Sequence, residues 1–248
     1  MSDTLYLSLW YPNLRLEALP DKLIAVLGAF AAHGGEAKVY AATVWPVSWN
    51  EAPVFERVYG RMRSTLAPGE NAALTLGVEP RQAVAEALEL LHDDYAYEFQ
   101  IGWSLWELEA GNAGPSTRPL RGLAQDDNPK SGAQDDSSRS TVQDGKFLGR
   151  WVRGPRLVRV TGYGPLFDEG AYEQDGHIRI DFGTDAPFLE EEADLDQVGA
   201  GHVEENVRQL VELTAAIEKA SGATARLLWS ELGESLAARL AARLGVRN

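Results

Sequence analysis

Between Tyr95 and Leu105, the residues Tyr95, Tyr97, Phe99, Ile101, Trp103 and Leu105 alternate with Ala96, Glu98, Gln100, Gly102 and Ser104. Successive side chains of a strand point to opposite faces, so this spacing commits the stretch to a sheet with one apolar face. A helix would scatter the same six side chains around its axis. The fold must therefore supply a second layer to cover that face, and the preceding residues hold candidates for it.

Leu5, Leu7, Leu9 and Tyr11 alternate with Tyr6, Ser8 and Trp10, which predicts a first strand. From Leu16 the spacing changes to Leu19, Leu23, Val26, Leu27 and Phe30, a helical stripe that stops at Gly34-Gly35, where a C-terminal cap belongs. Val39–Trp45 and Val54–Tyr59 read as a hairpin around Pro46 and 50–53, and Leu74–Val78 as a short extra strand. Pro80 suits a first helical turn, and Val84, Leu88 and Leu91 mark that helix. The order β-α-β-β-(β)-α-β over residues 1–110 predicts an α+β fold: a mainly antiparallel sheet with helices packed on one face, in a ferredoxin-like βαββαβ arrangement.

Gly111 to Lys146 is rich in Gly, Ser, Asp, Asn, Gln and Pro and has no aliphatic periodicity, so it reads as a flexible polar loop. Beyond it, Phe147–Val152, Leu157–Thr161 and Ile178–Phe182 read as strands. A helix follows with Val203, Val207, Leu210, Val211, Thr214 and Ile217, then a short strand Ala225–Trp229 and a last helix with Leu232, Leu236, Leu240 and Leu244. The expectation is a single α+β domain over 1–248 in two halves, 1–110 and 147–248, joined by the loop 111–146. The alternative is two small α+β domains on that linker. A chain of 248 residues is long enough for a substantial core in either case.

Charge then narrows the function. The chain carries 23 Lys+Arg and 37 Asp+Glu, a formal net charge of −14. That balance opposes nucleic acid and anionic lipid and favours basic partners. Pro165–Glu205 alone holds thirteen acids against one base, Arg179, so nearly all of the excess lies in one stretch. Concentrated like charge repels itself, which makes the block a candidate contact surface; on the plainer reading it is a solvated loop and helix start. The candidate partner-binding acids are Asp168, Glu169, Asp175, Asp181, Asp185, Glu190, Glu191, Asp194 and Asp196. Trp45 and Trp49, on either side of Pro46-Val47-Ser48, are added because an exposed indole beside an acidic patch has the character of a binding hot spot.

Catalytic signals are sparse. The chain has no cysteine, which removes disulfides, thiolate metal sites and thiol nucleophiles. His33, His92, His177 and His202 stand apart with no zinc-binding spacing, and no nucleophile elbow or dinucleotide fingerprint is complete. Asp194, Asp196, Gly199 and Glu205 fall at the first, third, sixth and twelfth places of a calcium loop, but Val198 at the fifth offers no oxygen. No catalytic residue, metal ligand or cofactor is assigned. The N-terminus has neither a basic segment nor an apolar run of signal-peptide or anchor length, so a cytoplasmic location and no membrane contact are expected.

The expected function is a non-enzymatic acidic interaction protein that binds a basic protein partner and could block it, by the physics that immunity-type inhibitors use against basic toxins. The alternative is a carboxylate-dependent hydrolase acting on a sugar or phosphate, with or without a divalent cation.

Overall fold

The computed structural model describes residues 3–62, 76–89, 91–109, 150–189 and 197–231. The predicted last helix, the whole of the loop 111–146 with its neighbours, and Glu190, Glu191, Asp194 and Asp196 lie outside the described residues. Contacts divide the chain into one compact unit, residues 1–106 with 153–248, and a second, residues 107–152. Of the second unit, the described residues are 107–109 and 150–152.

The elements are β1 (Thr4–Trp10), α1 (Leu19–Ala31), β2 (Gly35–Pro46), β3 (Phe55–Val58), α2 (Pro80–Ala87), β4 (Tyr95–Glu109), β5 (Arg150–Tyr163), α3 (Tyr172–Asp175), β6 (Ile178–Thr184), α4 (Ala186–Leu189), α5 (Gln197–Ser221) and β7 (Ala225–Ser230). The fold is α+β, with a seven-stranded antiparallel sheet in the order β3-β2-β4-β5-β6-β1-β7. This order departs from the expected ferredoxin-like arrangement. β1 lies between β6 and β7, where Leu7 pairs with Ile180 on one side and Leu228 on the other. Its partners come from far down the chain, which local pattern could not reveal.

Alternation decides which side of the sheet is covered. Leu5, Leu7, Leu9, Phe99, Ile101, Trp103, Ile180 and Phe182 are all buried. Phe30 of α1 meets Trp103 edge-on at 6.1 Å between centroids, and Phe188 of α4 stacks on Trp103 at 5.9 Å. Leu19 and Leu23 of α1 lie so close to Gly162 that an added Cβ would come within 3.1–3.2 Å of them. α1 in turn packs on α2 and α5, and α4 on α5, so these four helices form one layer on this face. Each large apolar side chain buried here contributes about 1.5–3 kcal/mol.

β5 corrects the reading of Phe147–Val152 and Leu157–Thr161 as separate strands: one strand runs through Gly154 and Pro155. Its pairing with β6 covers Arg159–Gly162, so Pro155, which lacks an N–H, sits outside that ladder. α5 is continuous from Gln197 to Ser221, placing Gly199 and Glu205 inside a helix rather than in a calcium loop. Among the described residues no helix is long and apolar enough to cross a membrane.

Candidate functional site

The sheet face opposite the helices carries the polar half of each alternating strand. Register aligns Arg159, Asp181, Tyr6 and Trp229 across β5, β6, β1 and β7, with Thr161, Arg179, Ser8 and Leu227 in the next row. Arg159 bonds Asp181 at 3.3 Å, and Arg179 pairs with Asp175 while lying over the rings of Tyr6 and Tyr163 at 5.5 and 5.6 Å. Burial raises the carboxyl pKa of Glu98 above its ordinary value, and the arginine at 159 partly offsets this. The acids of this face therefore neutralise guanidiniums of the same molecule.

At one end of this face the polar strip gives way to an aromatic cluster. Trp45, next to last in β2, pairs with Ala96 of β4, and Trp49 meets Phe167 at 5.0 Å and Tyr163 at 6.2 Å, both edge-on. Two loops meet here: 46–53 after β2, and 164–176 after β5. The second loop is fixed at both ends by glycine. A Cβ on Gly164 would sit 2.4 Å from the Asp93 carbonyl oxygen, and one on Gly176 (φ 87°, ψ 156°) 2.7 Å from the Leu9 nitrogen. Within the loops, Val47, Asp168 and Glu169 adopt left-handed backbone conformations with φ of 57°, 46° and 57°. Such conformations cost roughly 1–2 kcal/mol per residue outside glycine. The three are joined, because the Asp168 N–H donates to the Val47 carbonyl at 2.7 Å. Neighbouring Leu166 donates its N–H to the Asp93 carbonyl at 2.7 Å and leaves its side chain 61% exposed; Val47 is 54% exposed.

The structure sorts the candidate acids. Asp168, Glu169 and the neighbouring Glu173 are exposed on the loop. Asp175 and Asp181 are half-buried in arginine pairs. Asp185, expected at a contact surface, is only 2% exposed: its carboxylate accepts the Asp3 N–H at 3.0 Å and its own N–H returns to the Asp3 carbonyl at 2.7 Å. It joins the start of β1 to the end of β6, a task invisible in sequence because the partners are 182 positions apart. Trp45 and Trp49 are half-buried in the cluster rather than fully displayed. Glu205 holds Arg153 at 2.9 Å and the Trp106 indole N–H at 3.0 Å.

Sequence reasoning missed a cavity of about 340 Å³ beside this loop. Tyr11, Tyr163, Tyr172 and His177 line it, with Leu16, Leu19 and Pro165 among the apolar walls. The Tyr11 N–H donates to His177 Nδ1 at 3.2 Å, so the neutral ring carries its proton on Nε2. Burial lowers the His177 pKa and pushes the Tyr11 phenol up to about 12. The one available signal was Tyr11 ending an alternating strand at a proline. His92, Asp93 and Asp94 bring ligand atoms within 4.8 Å of one another, as consecutive polar residues on a partly exposed turn do; among the described residues they gather no ligand from another element.

No family model, curated protein or solved structure matches this chain.

Proposed function

We propose that this is a non-enzymatic interaction protein whose contact surface is the junction of loops 46–53 and 164–176, and that its partner is a basic protein. The observation that carries the reading is the group of three strained residues, Val47, Asp168 and Glu169, joined by one backbone hydrogen bond beneath exposed carboxylates and exposed aliphatic groups. Strain of this kind persists only where surrounding structure imposes it, and it gathers at functional sites. Here it holds acidic and apolar groups together on a base of packed rings, the composition expected of a binding hot spot with electrostatic steering around it. The protein's excess negative charge draws a basic partner toward it.

The test is capture of partners from native lysate by the tagged full chain at low and high salt, beside a variant carrying Asp168→Asn, Glu169→Gln and Glu173→Gln. A basic protein retained at low salt, with association to the variant slowed by about tenfold or more, supports the reading. Equal association rates for the wild type and the folded variant overturn it.

A further inference from the structure

We propose that the cavity formed by Tyr11, Tyr163, Tyr172 and His177 is an aromatic cage that receives the guanidinium of an arginine on the basic partner. The inference rests on the proposed function for the source of the cation, whereas the chemistry of the cavity stands on its own geometry. Four rings from three parts of the chain line one space. His177 meets Tyr11 at 6.1 Å with planes 64° apart and Tyr172 at 4.8 Å with planes 34° apart, so the rings form a corner rather than a flat stack. Ring faces carry negative electrostatic potential, and several rings lining one space attract a cation that no carboxylate need touch.

The same rings already show this preference. Lys22 Nζ lies 5.1 Å from the Tyr11 centroid, and the Arg179 guanidinium 5.6 Å from that of Tyr163. Neither cation lines the cavity. No carboxylate, lysine or arginine is among the lining residues, and burial lowers the pKa of the one titratable imidazole there, His177, which disfavours a repulsive charge at neutral pH. Carboxylates stand just outside: Asp175 accepts the Tyr163 hydroxyl at 3.4 Å, and Glu173 follows Tyr172 on the loop. Leu16, Leu19 and Pro165 give the methylene stem of an amphipathic side chain an apolar wall. The volume, near the lower end for ligand pockets, suits one side chain. Arginine is favoured over lysine because guanidinium is planar, weakly hydrated and stacks on rings.

The test uses the labelled full chain and two small probes followed by NMR: Nα-acetyl-arginine amide and its neutral isostere Nα-acetyl-citrulline amide. The arginine probe is expected to shift the His177 and Tyr172 ring resonances saturably and to bind about threefold or more tightly than the citrulline probe. Tyr172→Leu removes that preference and Tyr172→Phe retains it. Equal binding of the two probes, or arginine shifts confined to Asp168 and Glu169, overturns the cage. If the arginine probe binds as expected while the lysate yields no basic protein, the partner is overturned as the source of the cation and the cavity stands as a site for a free guanidinium compound.

Discussion

Two neighbouring groups of carboxylates, both counted in the same acidic block, have opposite fates. On the segment 164–176, Asp168, Glu169 and Glu173 are exposed, the first two on a backbone held in an unfavourable conformation. A few residues later, Asp175 and Asp181 are bound to arginines, and Asp185 is buried against the start of β1. The difference teaches that net charge overstates the charge available to a partner. What separates the two groups is whether the fold brings a donor to the acid: Arg159 across the β5–β6 register for Asp181, Arg179 four residues along the chain for Asp175, and the Asp3 N–H for Asp185.

The contrast can be tested most severely at the junction of the two groups. Gly176 occupies a backbone region open essentially only to glycine, and its Cα faces the Leu9 backbone. Gly176→Ala should therefore cost about 3 kcal/mol or more, read as a lowered urea midpoint. A change below 1 kcal/mol would mean that the loop is not anchored to β1 as described.

Asp185→Ala comes next. Removing the acceptor leaves the Asp3 N–H unsatisfied in a buried place, with an expected loss of about 1–3 kcal/mol in chemical denaturation and no effect on partner capture. Reduced capture by the folded variant would place Asp185 in the wrong group.

Glu169→Gly should act in the opposite sense, because glycine relieves the positive φ of 57°. Offset by the greater entropy of an unfolded glycine, the gain is about 0.5–1 kcal/mol in stability, accompanied by slower association with the partner. If the variant is destabilised instead, the strain assigned to this residue is absent.

The smallest effect concerns pH. Glu98 has a folded-state pKa above its unfolded value, so between the two values the folded state binds more protons and stability declines as pH rises through that window. Glu98→Gln should flatten this decline, measured as the difference in urea midpoints of the two proteins from acidic to neutral pH. An unchanged profile would show that the arginine at 159 compensates burial fully.

Much of the fold was legible in the sequence. Tyr97, Phe99, Ile101, Trp103 and Leu105 are all buried on one face, as their spacing requires, and α1 buries Leu19, Leu23, Val26, Leu27 and Phe30 up to the turn at Gly34. Prediction missed where strands run without a break, as through Gly154-Pro155, because a proline outside the β6 ladder does not end a strand. Of the candidate site, the loop acids were legible as charge. Their strained support was not, since nothing in the pair Asp168-Glu169 foretells a left-handed backbone.

Periodicity and charge are local quantities, and they determined the strands, the main helices, the α+β class and the acidic block, because a side chain's face follows from its position within its own element. The order of strands, the joining of Asp185 to Asp3, the pairing of Asp181 with Arg159 and the four rings around one cavity were decided only by tertiary structure. They depend on pairing β5 with β6, and β1 with β6 and β7 more than 160 residues away, where a one-residue slip would turn every side chain to the other face.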